Sequence, residues 1–304
     1  MFWVSIIGCE VNMYIAENWK DYELLDTSDG ERLERWGKYI LVRPDPQVIW
    51  KDKRDHKLWN KADGVYRRSN KGGGAWVKND VPEKWTINYG TLTFNLKPMG
   101  FKHTGLFPEQ AANWDWFSKL ISERKKQGKS VKVLNLFAYT GGATAAAAQA
   151  GAEVVHVDAS KGMVLCAKEN LASSGLADAP VRYIVDDCRK FVEREIRRGN
   201  KYDGIIMDPP SYGKGPKGEI WKLEDAVCDF VSLCEKVLSD DPLFMLINSY
   251  TTGLSPLTMG YVLDVEIVKK HGGKAETGEL ALPVTQTNSY LPCGASARWV
   301  ADEK

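Results

Sequence analysis

The 304-residue sequence lacks most of the features that assign a chain at a glance. No apolar run approaches the roughly 20 residues that a membrane-crossing helix requires. Charge of one sign is also missing: Lys and Arg number 41 against 40 Asp and Glu. The net charge therefore selects no partner, and any nucleic-acid surface has to be local. Cysteine is scarce, with Cys9, Cys166, Cys188, Cys228, Cys234 and Cys293 forming no CxxC pair and no zinc spacing. That pattern excludes a disulfide scaffold and argues against a metal site. It points to reduced thiols in a cytoplasmic protein. Repeats and low-complexity tracts are absent. The opening "MFWVSIIGCEVNMYIAENW" holds a short apolar run and an "IIGC" like a lipoprotein cleavage box, but no basic segment precedes it. It reads as an irregular extension, or as sequence upstream of a start at Met13.

What is present divides near residue 100. Residues 1–100 combine an extension with a small β-rich accessory domain, rich in Trp, Lys, Arg and turn formers, with strand-like pieces in "KYILVRP", "AWVKND" and "GTLTFNLKP". Over residues 101–304 the apolar runs "VKVLNLF", "AEVVHVD", "VRYIVDD", "YDGIIMD", "PLFMLIN" and "SARWVAD" alternate with helical stretches. This is the pattern of βαβ units and a mainly parallel sheet flanked by helices. "ATAAAAQAG" is nearly pure Ala, which allows a helix to lie close on a sheet. "SKGMVLCAKENLASSG" opens on a capping Ser and ends on a Gly, and "DCRKFVEREIRRGNK" places its apolar residues at helical spacing.

The ends of these strands share one property. After the first, "NLFAYTGGAT" puts Gly141 and Gly142 where the chain turns into a helix and a ligand can approach the backbone. The second ends in Asp158, an acid suited to a ribose diol. The third ends in Asp186 and Asp187, where a carboxylate can accept from an adenine amine. The fourth ends in "DPPSYG": two prolines supply no backbone donors, so the chain leaves the sheet abruptly beyond Asp208. In open α/β sheets this edge is where ligands bind. The pyrophosphate-binding GxGxxG is missing, whereas S-adenosyl-L-methionine carries no phosphate and needs what these ends offer.

The stretch from "FKHTGLFPEQAANW" to "SARW", about two thirds of the chain, resembles the Rossmann-like class I S-adenosylmethionine-dependent methyltransferases of the bacterial 23S ribosomal RNA type, the 5-methylcytosine and 7-methylguanine group. In "HTGLFPEQ" the resemblance puts Thr104, Gly105 and Gln110 beside the methionine end of the cofactor. It implies further cofactor contacts from Asn135, Phe137, Tyr139 and Gly141 in "NLFAYTGG", from Asp158 and Ala159 in "VDAS", from Asp187 and Cys188 in "DDC", and from Asp208. The group's usual N-terminal RNA-binding module is not recognisable.

Formation of 5-methylcytosine needs a cysteine nucleophile. None of the six cysteines lies in "DPPSYG" or in "NSYTTG", where cytosine-modifying members carry it. The expectation is therefore transfer to a base nitrogen, guanine in ribosomal RNA before others. Asp208 and the Pro209 carbonyl would accept hydrogen bonds from the base, and Tyr212 would stack on it. Ser211 departs from the four-residue form of this turn. Asn248 and Tyr250, at the neighbouring strand end, either line the same pocket or bond their own loop.

A candidate RNA surface runs from Lys51 to Lys71, where Lys51, Lys53, Arg54, Lys57, Lys61, Arg67, Arg68 and Lys71 are interleaved with Trp59 and Tyr66. The aromatics either stack on unpaired bases or turn into a small core of their own. "EREIRRGNK" reads as a solvated helix face. Two other readings remain open: methylation of a small molecule or protein side chain, and a non-catalytic cofactor-binding factor in RNA assembly. A basic band from the Lys51 segment to the "DPPSYG" pocket would favour RNA.

Overall fold

A computed structural model describes residues 12–52, 54–69, 73–214, 220–251 and 253–302. Cys9, Lys53 and Lys71 lie outside the described residues. The first half supplies β1 (Met13–Ile15), β2 (Tyr22–Ser28), β3 (Glu31–Trp36), β4 (Tyr39–Pro44), β5 (Gly64–Arg68), β6 (Gly74–Asn79) and a hairpin of β7 (Trp85–Tyr89) with β8 (Leu92–Leu96). A four-residue helix, α1 (His56–Trp59), precedes β5. The second half supplies β9 (Lys132–Leu136), β10 (Glu153–Asp158), β11 (Val181–Val185), β12 (Gly204–Met207), a short hairpin of β13 (Tyr212–Lys214) with β14 (Ile220–Lys222), then β15 (Phe244–Ser249), β16 (Lys274–Val284) and β17 (Ser289–Val300). Its helices are α2 (Ala111–Lys126), α3 (Gly142–Gln149), α4 (Lys161–Ser173), α5 (Cys188–Arg198), α6 (Leu223–Glu235) and α7 (Pro256–Leu263).

One large sheet runs β11-β10-β9-β12-β15-β17-β16-β2-β3-β4-β5-β6. From β11 to β15 every pairing is parallel, and β17 enters antiparallel between β15 and β16. The mainly parallel, helix-flanked sheet is thus as the sequence predicts, with β16 added. Strand order reverses between β9 and β12, which opens a crevice at the carboxyl ends of those two strands. Period two along β9 sends Val133 to one core and Leu134 and Leu136 to the other. The first core holds Trp114, Phe117 and the alanines of α3; the second holds Phe191, Phe230 and Trp299. Both faces are therefore covered, which is why β9, β12 and β15 read as continuous apolar runs.

Residue 100 falls in a 3-10 turn, Gly100–Lys102, but strand pairing carries the sheet across that division. β1 runs parallel to β16 from Met13 opposite Glu279 to Ile15 opposite Ala281, and β2 meets β16 at Leu24 and Val284. The β7–β8 hairpin docks on α4, where Asn170 Oδ1 accepts from Asn95 N at 2.8 Å and Ser174 Oγ accepts from Thr93 N at 2.9 Å. Among the described residues, no helix is long and apolar enough to cross a membrane.

Candidate active site at the carboxyl edge of the sheet

The loop after β9 is held in an unusual backbone conformation. Phe137, Tyr139 and Gly141 take φ values of 55°, 48° and 82°. Left-handed geometry at non-glycine residues costs free energy and concentrates at functional sites. Two anchors hold it here: Cys188 Sγ accepts from Phe137 N at 3.3 Å, and Asp158 Oδ2 accepts from Tyr139 N at 2.8 Å. Glycine is required at both 141 and 142 by packing. A Cβ on Gly141 would meet Ala167 Cβ at 2.7 Å, and one on Gly142 would meet Trp114 Cζ2 at 2.7 Å. The close docking of α3 uses the space.

Asp158 sits at the end of β10 with both oxygens engaged on one side: Oδ1 accepts from Ser160 N at 2.8 Å, beside the Tyr139 contact of Oδ2. Burial raises its carboxyl above the usual range, and the two backbone N–H groups oppose that rise. Each oxygen keeps a lone pair for a further donor, as a ribose diol requires. Asp187 is exposed and caps α5, its Oδ1 accepting from Lys190 N at 2.9 Å. Cys188 is buried beneath it, with its thiol pushed up by burial, and Ala159 is exposed. Asn135 points into the core side of β9, donating to Thr144 Oγ1 at 2.9 Å, which in turn lies 2.9 Å from His156 Nδ1.

The cleft at the β9–β12 crevice is lined by Phe107, Gln110, Asn135, Phe137, Tyr139, Gly142, Asp208 and Asn248, among others. The sequence thus names many of its walls, from Gln110 to Asn248, 138 positions apart. Thr104 is fully buried with its hydroxyl unpartnered among the described residues, and Gly105 takes φ 101° while its carbonyl accepts from Thr140 Oγ1 at 2.6 Å. That bond ties the "HTGLFPEQ" segment to the β9 loop. Gln110 donates to Tyr250 OH at 2.7 Å, so Tyr250 backs the wall from outside the residues that line the cleft. Backbone left-handedness, a glycine-bearing turn and a ribose-type acid together suit S-adenosylmethionine.

Asp208 directly follows β12, and its Oδ1 is shielded from solvent with no partner among the described residues. Burial, aided by the charge of Glu109, raises its carboxyl to about 7. Glu109 is itself buried with Oε2 unpartnered. Pro209 is buried behind Asp208, and Pro210 O accepts from Trp221 Nε1 at 2.7 Å, which fastens the turn to the β13–β14 hairpin. Tyr212 opens that hairpin and is 52% exposed, outside the residues that line the cleft. The aromatic side chains that line the cleft include Phe107, Phe137 and Tyr139 instead, and the Phe107 ring centroid lies 5.6 Å from Tyr139, 5.7 Å from Tyr250 and 5.5 Å from His103. Phe107 stands in the quoted "HTGLFPEQ" and carried no separate signal.

Charged residues of the first half brace this wall, and no local pattern signals them. Arg43 donates to Glu34 from Nε at 2.6 Å and Nη2 at 2.8 Å, and from Nη1 to Lys102 O at 2.9 Å. Arg32 lies between Glu34 and Asp45 at 3.4 and 3.5 Å. Burial, then the charge of Arg32, lowers Lys102 to about 8, and burial with the Arg43 charge lowers His103 to about 4. Cys293 also comes into the field of Glu109 and Tyr250, but burial pushes its thiol well above the usual range. It is held as a thiol rather than a nucleophilic thiolate.

In the basic segment the aromatics belong to the core. Trp59 is buried and donates to Asp26 Oδ2 at 2.6 Å, and Tyr66 is buried edge-on to Trp76 at 5.6 Å. Base stacking on these two rings, one of the two readings of the segment, is therefore corrected. Arg54 and Arg67 both pair with Glu31, and Arg54 lies 4.1 Å over the Trp59 ring. Lys51, Lys57, Lys61 and Arg68 are exposed.

Known proteins share this architecture. A crystal structure of a SAM-dependent methyltransferase from Agrobacterium tumefaciens superposes with a TM-score of 0.88 at 34% identity, covering 96% of this chain and 94% of that one. Ribosomal RNA large subunit methyltransferase K/L of Shewanella frigidimarina is 33% identical over 187 residues, and that of Colwellia psychrerythraea 29% over 185 residues; each match takes in 60% of this chain. The matches cover only 25% and 23% of those two relatives, so the chain spans about a quarter of their length. The family model for S-adenosylmethionine-dependent methyltransferase matches residues 56–253, and with the strand order, the crevice and the Asp158 geometry it establishes that this chain belongs to that family of enzymes.

Proposed function

We propose that the enzyme transfers the methyl group of S-adenosylmethionine to a nucleobase nitrogen in RNA, the base being guanine of ribosomal RNA. Asp208 carries the reading: a carboxylate with one buried, unpartnered oxygen stands at the end of β12, on the wall of the cofactor cleft. Such an oxygen is costly to leave unsatisfied, and a planar base bearing N–H donors satisfies it. Asp158 holds the ribose and the free side of Asp187 faces the adenine, while Phe107 offers the apolar face on which a base can lie.

Bound S-adenosylmethionine supplies an electrophilic methyl on sulfonium sulfur. The protein's part is orientation and exclusion of water. With an exocyclic amine as acceptor, ionised Asp208 takes a hydrogen bond from the N–H, draws the nitrogen lone pair out of conjugation and accepts the proton that the nitrogen loses on methylation. With ring N7 the in-plane lone pair is already available, and Asp208 holds the base by another edge. Neither case requires a thiolate. The RNA reading is supported by the names of the K/L relatives and by the exposed cations Lys51, Lys57, Lys61 and Arg68 of the first half. The first hundred residues act in this reading as the accessory part.

Mass-spectrometric nucleoside analysis of total RNA from cells with and without the gene tests the proposal. Loss of one N-methylated guanosine in the deletion strain, restored by the wild-type gene and not by Asp208→Ala, is the expected result. An unchanged nucleoside profile would redirect the search to small molecules and protein side chains.

A further inference from the structure

Asn113 is fully buried on α2, close to one turn beyond Gln110, and Arg298 of β17 clamps its amide from behind. The guanidinium donates to Asn113 Oδ1 from Nε at 2.9 Å and from Nη2 at 2.7 Å, and Nη2 also donates to Ala112 O at 3.0 Å. A guanidinium has donors only, so the oxygen of Asn113 must face it and the amide nitrogen must face away. That nitrogen donates to Gln110 Oε1 and to Asn248 Oδ1, both at 2.9 Å. Asn248 Nδ2 donates to the same Gln110 Oε1 at 3.1 Å. With Oε1 occupied twice, Gln110 Nε2 is turned out to Tyr250 OH at 2.7 Å. The Ser296 hydroxyl lies 3.2 Å from Asn113 Oδ1 and 3.1 Å from Asn248 Oδ1.

Every amide oxygen of this cluster is thereby turned inward onto a donor. Gln110 and Asn248 line the cleft, and what they have left for it is N–H. A wall of donors suits an acceptor such as a carboxylate, most of all a charged one, and disfavours a group that can only donate. We propose that Arg298 and Asn113 are positioning residues, which hold the Gln110 and Asn248 amides with their N–H groups toward the carboxylate at the methionine end of the cofactor. The proposal rests on the placement of Gln110 at that end.

Arg298 is itself immobilised, 3.5 Å from the ring centroid of Tyr14 on β1 and 5.1 Å from that of Trp116 on α2. Burial lowers it to about 10, which leaves it charged at neutral pH. The short N-terminal strand thus covers the guanidinium from which the chain of amides starts.

Calorimetry with two ligands tests the role. S-adenosylhomocysteine carries the amino-acid carboxylate, whereas 5′-methylthioadenosine keeps the adenosine and thioether and lacks it. Arg298→Met removes the clamp. Asn113→Asp keeps an acceptor for Arg298, now as an ion pair, but presents a second acceptor to Gln110, forcing that amide to reverse. Each is expected to weaken S-adenosylhomocysteine by about tenfold or more while methylthioadenosine stays within about twofold. Arg298→Lys, which retains a donor, recovers most of the loss. Equal weakening of both ligands, or of neither, in the folded variants overturns the positioning role. Gln110→Leu separates the two possible failures: if it too fails to discriminate, Gln110 is not at the methionine end, and if it alone discriminates, the placement stands and the clamp does not.

Discussion

Asp158 Oδ2 accepts a hydrogen bond from Tyr139 N at 2.8 Å, joining the end of β10 to the loop after β9. One carboxylate therefore fixes a left-handed backbone turn beside the cleft and keeps lone pairs for a further donor, although Asp158 is itself outside the residues that line the cleft. Asp158→Ala is expected to lower affinity for S-adenosylmethionine by about one to two decades, the equivalent of roughly 1.5–3 kcal/mol for charge-assisted hydrogen bonds. Calorimetry on the folded variant checks it; unchanged affinity would remove Asp158 from the cofactor site.

Asp208 titrates at about 7 because burial disfavours its charge and Glu109 adds to the effect. The ionised form is the hydrogen-bond acceptor, so kcat/KM should rise with pH through about 7 and level off above it. Asp208→Asn should strongly reduce turnover, abolish that rise and leave cofactor affinity intact. A loss of cofactor affinity as large as the loss of activity would place Asp208 in the cofactor site instead.

Glu34 links the first half of the chain to the cleft wall. Burial favours its neutral form, but Arg32 and Arg43 outweigh this and hold it at about 2, below the ordinary carboxylate value of 4.5. A depressed folded value means that its contribution to stability is full above about pH 4.5 and is lost as pH falls toward 2. Glu34→Gln leaves two buried guanidinium groups short of a counter-charge, and should cost about 3–5 kcal/mol near pH 7. Denaturant titrations of both proteins from pH 7 downward check this: the gap should narrow below about pH 4.5.

Replacement of all six cysteines by Ser or Ala, in a variant that still folds, should leave methylation largely intact, with an N-methylated purine as product. Cys293 is the critical position, since it alone of the described cysteines is in the field of both Glu109 and Tyr250. Detection of 5-methylcytosine, or of a covalent adduct with RNA containing 5-fluorocytosine, would overturn nitrogen transfer.

Local pattern alone determined the parallel half of the sheet, because strands covered on both faces must be apolar throughout and the helices between them carry caps and period. Ser160 and Asp187 cap α4 and α5 as their letters predict, and Gly199 ends α5 at φ 69°. The strand-end acids and the turn after Asp208 were legible for the same reason: a parallel sheet puts all such ends on one edge. β16 was not, since Glu276, Gly278, Glu279 and Pro283 break up its 11 residues and its pairing partner β17 supplies the pattern that it lacks. Tertiary structure alone decided that Trp59 and Tyr66 face a core, that Phe107 rather than Tyr212 lines the cleft, and that Arg298 orients an amide 185 positions away. Those outcomes depend on which side chains meet across distant segments. A donor-only guanidinium acts through geometry at less than 3 Å, and no periodicity or local spacing encodes that distance.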